Sequence, residues 1–171
     1  MWKNGITAPC DCSNSNLGEK VNSVKKIEIT KSNQKFKVGN KEVKLRIGND
    51  EENNEVLFVN DYAATYNFSG SSVKFLSAYL TDKFIFFTTG GNSDGAICYA
   101  INEDGWEIPT NYNGYFVYDS KKFRIVDGYL HANGSKFCYD SEVEECKSEE
   151  YKTRDLLIKY IDNTLIVTEA K

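Results

Sequence analysis

An all-β fold of antiparallel meanders and hairpins, with at most one short helix, is predicted by three observations. Aromatic residues make up 13% of the chain, with 11 Tyr and 10 Phe, and such side chains suit the pleated surface of a sheet. The stretch Val73–Ile108 reads as three consecutive strands separated by turn residues. Two-residue turn signals (Gly39-Asn40, Asn60-Asp61, Asp127-Gly128, Asp162-Asn163) recur between apolar runs, as hairpins require. Propeller-blade-like sheets, a β-sandwich and a barrel all fit this pattern.

The stretch Val73–Ile108 is the expected centre. Val73–Leu80 is one strand, Thr81-Asp82-Lys83 a turn, Phe84–Thr89 a second strand, Gly90–Gly95 a loop and Ala96–Ile101 a third strand. Asn102–Gly105 forms the closing turn and Pro109 the exit. Phe84, Ile85, Phe86 and Phe87 are consecutive, so this strand is apolar on both faces and is expected to be buried on both.

Before the centre, Lys25–Thr30 reads as a strand. Phe36 and Val38 lead into Gly39-Asn40, and Val43, Leu45 and Ile47 follow with Lys44 and Arg46 between them. Alternation on both sides of a turn predicts a hairpin with one wet, cationic face. Asn49–Glu55 is an acidic loop without the residue order of a calcium site. Val56–Val59 and Tyr62–Phe68 are strands, and Ser69–Ser72 a flexible loop.

After the centre, Pro109–Gly114 reads as a loop and Tyr115–Tyr118 as a strand, with a turn at Asp119–Lys122. Phe123–Val126, Tyr129–Ala132 and Lys136–Tyr139 are strands joined at Asp127-Gly128 and Asn133–Ser135. Ser141 and Glu144 have capping-box spacing, so Glu142–Lys152 is either a helix or a loop. Leu156–Ile161 and Thr164–Thr168 make a final hairpin around Asp162-Asn163.

A length of 171 residues suits one domain, expected over residues 25–171 after a polar linker at residues 1–24. The net charge of −4 hides an asymmetry. Lys20–Arg46 carries nine Lys/Arg and two acids, while the remainder carries twelve bases and twenty-three acids. The basic run is the solvated face of the hairpin, where lysines also guard an open edge, or a surface for an anionic partner. An acidic body argues against nucleic acid. No apolar run is long enough to span a membrane, and the first residues hold no apolar leader segment. The 17 Asn with abundant Lys, Ile, Tyr and Phe suit an AT-rich bacterial source.

The cysteines are Cys10, Cys12, Cys98, Cys138 and Cys146. A Cys138–Cys146 disulfide and free thiols both fit, whereas one C-x-C with a single histidine is a poor zinc pattern. No metal and no cofactor are expected. His131, the single histidine, reads as a satisfied strand residue. There is no G-x-S-x-G and no phosphate-binding glycine motif, so hydrolase and nucleotide chemistry have little support. Carboxylates are plentiful, and a glycosidase pair is defined by a separation in space. A non-enzymatic binding module is expected, with Trp106, Tyr112, Tyr115 and Tyr118 as its contact surface. Tyr and Trp bring large contact area with a polar handle. The partner is a protein or a glycan. The polar segment at residues 10–23 suggests an extracytoplasmic or surface location, and a cytosolic inhibitor or toxin-immunity role is the alternative.

Three segments align, L-T-D-K-F-I-F-F at 80, I-V-D-G-Y-L-H-A at 125 and Y-I-D-N-T-L-I-V at 160. Each is an apolar residue, a turn containing Asp, and a new strand. Leu80–Ile108, through Gly95-Ala96-Ile97-Cys98-Tyr99-Ala100-Ile101-Asn102-Glu103-Asp104-Gly105-Trp106, resembles one blade of the PQQ-like β-propeller repeats. In that family a strand ends near A-L-D-x-x-T-G and is followed by Trp. Here Trp106 follows Gly105 directly, earlier than in the family, and Phe137–Glu144 lacks both Gly and Trp. The resemblance covers about one repeat and implies blade-like local structure, with no cofactor carried over. A closed propeller needs at least four blades of ~40 residues, more than the roughly 145 residues that follow the expected linker hold.

Overall fold

The computed structural model describes residues 18–64, 76–89, 97–118, 123–136 and 152–171. These residues form β1 (Val24–Ile27), β2 (Gln34–Val38), β3 (Lys41–Asn49), β4 (Glu55–Val59), β5 (Tyr62–Ala63), β6 (Leu76–Thr81) and β7 (Ile85–Thr89). They continue with β8 (Ile97–Ile101), β9 (Thr110–Asn111), β10 (Tyr115–Tyr118), β11 (Arg124–Val126), β12 (Tyr129–Lys136), β13 (Arg154–Ile161) and β14 (Thr164–Glu169). No helix occurs among the described residues, and the protein is all-β.

The strands make three sheets, ordered β2-β3-β4-β5, β1-β6-β7-β8 and β10-β12-β13-β14-β9, with β11 pairing β12 beside β10. The β1–β8 sheet is the middle layer. Phe84, Phe86, Tyr79 and Ala100 pack with Leu130, Leu156, Ile158, Tyr160 and Val167 of the six-stranded sheet. Ile85, Phe87, Leu80 and Ile101 pack with Val38, Val43, Leu45, Leu57 and Val59 of the first sheet. The Phe84–Phe87 run is therefore buried on both faces, as its continuous apolarity requires. The side chains interlock as aromatic pairs, with Tyr79 stacked on Phe86 at 5.0 Å and Phe84 against Tyr160 at 5.2 Å. A register shift between Phe87 and Thr88 bulges the β7–β8 ladder.

The β2–β3 hairpin follows the alternation in its sequence. Val38, Val43 and Leu45 are buried while Lys35, Lys37 and Lys41 are exposed. Gly39 has φ +58° at the first central turn position, which glycine adopts without steric cost.

Two expectations need correction. Asn133–Ser135 is no turn, because β12 runs unbroken from Tyr129 to Lys136. Its first half pairs β11 and its second half pairs β10 on the same edge. A Cβ on Gly134 would collide with the Phe116 carbonyl oxygen and a Leu156 methyl. The glycine marks a close backbone approach, not a bend. Pro109–Gly114 is also more than a loop, since Thr110 and Asn111 form β9, paired parallel to Leu165 and Ile166.

Val21, in the stretch read as linker, is buried against the six-stranded sheet, and its N–H donates to the Gly128 carbonyl at 2.8 Å. Outside the described residues lie the expected loops at Ser69–Ser72 and Gly90–Gly95, the turn at Asp119–Lys122 and the ends of the strands reaching Phe68, Val73 and Tyr139. The alternatives for Glu142–Lys152 up to Tyr151, the cysteine pair Cys138 and Cys146, and Cys10 and Cys12 lie there too.

Candidate functional site

Turns from all three sheets gather at one end of the molecule. They are Gly39-Asn40, Asn60-Asp61, Asp82-Lys83, Asn102–Gly105, Asp127-Gly128 and Asp162-Asn163. Asn60, Asp61, Asp127, Gly128, Asp162 and Asn163 all have positive φ, as tight hairpin turns with two such central residues require. Asn, Asp and Gly tolerate this conformation, which explains why the turns are spelled with those residues.

The turns are tied to one another across sheets. Asn60 Nδ2 donates to the Asp104 carbonyl at 3.1 Å, and Asn60 Oδ1 accepts from Lys44 N–H at 2.9 Å. Asn40 N–H donates to Glu103 Oε2 at 3.1 Å, and Lys41 Nζ pairs with Asp104. Asn102 Nδ2 reaches Asn163 Oδ1 at 3.1 Å, and the Tyr160 hydroxyl donates to the same oxygen at 2.9 Å. The Gly39 N–H donates to the Asp82 carbonyl at 2.9 Å. The Asp82 carboxylate accepts from Asn22 N–H and Nδ2 at 2.8 and 2.9 Å.

The electrostatics are those of an acidic rim. Burial, with Glu19, Glu103 and Asp104 nearby, raises the Tyr160 hydroxyl above the usual phenol value. Burial would push the Asp82 carboxyl up, yet the hydrogen bonds from Asn22 and Ser23 outweigh it and hold the carboxyl below its ordinary value. Burial and then Glu107 push the Tyr99 hydroxyl up to about 12.

On this rim stand two large aromatic side chains facing solvent, Trp106 at 71% exposure and Tyr62 at 79%. Trp106 closes a turn in which Asn102 Oδ1 accepts from the N–H groups of Asp104 and Trp106, at 3.0 and 3.1 Å. Tyr62 follows Asn60-Asp61 and pairs with Val59.

The four aromatic residues expected to form one surface are distributed differently. Tyr112 and Tyr115 flank Asn113-Gly114, are half-buried and pack on the core. The Tyr115 hydroxyl lies 3.4 Å from Glu169 Oε2 at the far end of β14. Tyr118 lies on β10 opposite Asn133, and its side chain is outside what is described. Trp106 and Tyr115 are thus at opposite ends, because the intervening chain runs extended beside β14 and each extended residue advances about 3.3 Å. Tyr62 was not anticipated. The signal was its place directly after a tight turn, where a two-residue edge strand leaves the ring uncovered.

His131 sits on the outer face of β12, its side chain 11% exposed. Its Nδ1 is 3.1 Å from Asp155 Oδ2, while Arg124 reaches Asp155 Oδ1 at 2.5 Å and Asn133 Oδ1 at 3.3 Å. The imidazole is thus held against the Asp155 carboxylate on the outer face of the strand. Among the described residues no group of three or more His, Cys, Asp or Glu is placed to hold a metal, and no helix is long and apolar enough to cross a membrane.

No protein family matches this chain, and no curated protein or solved structure matches it.

Proposed function

We propose that the protein is a non-catalytic binding module that engages a protein partner through its turn end, with Trp106 and Tyr62 as the contact residues. The observation that carries this reading is the exposure of both rings on a rim whose turns are cross-tied by Asn60, Asn102 and Asp104. Exposed aromatics on a rigid scaffold lose little conformational freedom on binding and supply the contact area typical of interaction hot spots. The location proposed is outside the cytoplasm of a bacterium. The polar N-terminal stretch and the acidic body support it.

Capture from an extract of the source organism tests the reading. Immobilised wild-type protein should retain a stoichiometric partner that a Trp106→Ala/Tyr62→Ala variant loses, with unchanged far-ultraviolet circular dichroism. Equal retention by both proteins overturns it. Trp106 is also suited to stack on a sugar ring, and saturable glycan binding lost in Trp106→Ala would move the carbohydrate reading first. Alkylation without reductant checks the location. Protected cysteines support an oxidising compartment, and five reactive thiols favour the cytosolic inhibitor or immunity role.

A further inference from the structure

A cleft of about 480 Å³ opens beside the turn end, between the first and middle sheets. It is walled by Lys35 and Lys37 of β2, Ser23 and Lys25 at β1, and Thr81 and Asp82 at the end of β6. Both β1 and β2 are terminal strands of their sheets among the described residues.

The charges in the cleft are unequal. Lys25 and Lys37 are exposed and have no ion-pair partner among the described residues. Among the described residues Lys35 pairs only with Glu42, at 3.9 Å, a distance and exposure at which a pair contributes little. Among the described residues that line the cleft, Asp82 is the one acid, and both its oxygens accept from Asn22.

The backbone adds a second feature at the same residues. Val38 and Lys41 flank the two-residue turn Gly39-Asn40 and are directly paired. In an antiparallel ladder, residues alternate between exchanging hydrogen bonds with the partner and pointing those groups away. Val38, Phe36 and Gln34 therefore bond to β3, while Lys37 and Lys35 turn their N–H and C=O groups to the open edge.

We propose that this cleft receives an extended acidic peptide of a partner protein, which continues the first sheet beyond β2 and sets its carboxylates on Lys25, Lys35 and Lys37. Edge addition supplies affinity through the backbone, and side-chain complementarity supplies choice of partner. The lysines oppose pairing with another cationic strand, a second copy's β2 included, and admit an anionic one. The cleft adjoins the turn end, but Trp106 and Tyr62 are not among its described lining residues, so the two proposals stand or fall separately.

Fluorescence anisotropy with a labelled peptide of alternating Glu and Val tests this on the full chain. Saturable binding is expected, weakened about tenfold or more by Lys25→Glu/Lys37→Glu, weakened in the same direction by Lys37→Gln, and unchanged by Trp106→Ala. Methylating alternate backbone amides of the peptide keeps its charge and removes its ladder donors. The methylated peptide should bind wild-type protein much more weakly, a comparison that needs no variant to fold. Absence of saturable binding, equal binding by the lysine variants, or equal binding of the methylated peptide overturns the proposal. The last outcome would mean that charge alone attracts the peptide.

Discussion

Asn60 does three things that no other residue type combines. It holds φ at 49°, accepts the Lys44 N–H and donates to the Asp104 carbonyl in the turn after β8. Alanine loses both hydrogen bonds and is strained at positive φ, whereas glycine loses only the bonds. Asn60→Ala should cost about 2 kcal/mol and Asn60→Gly about 1 kcal/mol less, read from urea unfolding midpoints. Equal costs would show that the conformation contributes nothing. Gly134 is the sharper case, since any Cβ there meets the Phe116 backbone. Gly134→Ala should destabilise by about 3 kcal/mol or more, and a near-neutral result would contradict the close packing of β10 on β12. The Asn-Gly pair at 133 and 134 reads locally as a turn, yet it lies inside β12. The same glycine suits a turn and a close approach, and the choice depends on what lies beside it.

At the level of elements, β7 shows what a strand between two layers demands. Phe86 belongs to the core shared with the six-stranded sheet, and Phe87 to the core shared with the first sheet. In a half-exposed strand, truncating neighbours gives alternating large and small effects. Here Phe86→Ala and Phe87→Ala should each cost about 3–5 kcal/mol, measured by chemical denaturation. A cost below about 1 kcal/mol at either position would mean that one face is wet. The burial was readable from four consecutive apolar residues, because local sequence dictates which faces a strand presents. The identity of the covering layers was not, since β12–β14 are far along the chain. The parallel partner of β9 was hidden for the same reason. Two residues carry no periodicity, and β14 alone makes them a strand.

For the whole molecule, pH acts through groups that tie distant segments together. Asp82 joins the N-terminal stretch to the β6–β7 turn, and its carboxyl is held below its ordinary 3.8. A depressed carboxyl adds stability above its unfolded value, and that stability is lost as pH falls through the folded one. The unfolding midpoint should therefore fall below about pH 4, and fall less steeply in Asp82→Asn. Identical pH profiles would remove Asp82 from the account. Tyr99 works at the other extreme. Its hydroxyl is raised from 10.0 to about 12, so its contribution is complete below pH 10 and lost as pH rises towards 12. Tyrosinate absorbance during alkaline titration should show buried tyrosine ionising together with unfolding, and full ionisation near pH 10 in folded protein would contradict this burial.

The all-β class, the hairpins, the two-faced core strand and the aligned Asp-containing turns follow from local chemistry. Side-chain periodicity and tolerance of positive φ act within a few residues. Only the tertiary structure decided that turns from three sheets meet at one end, that Trp106 joins Tyr62 there while Tyr115 lies at the other, and that two lysine-bearing edges enclose one cleft. Those juxtapositions depend on which apolar faces bury one another across long stretches of chain, and no short-range pattern encodes that choice.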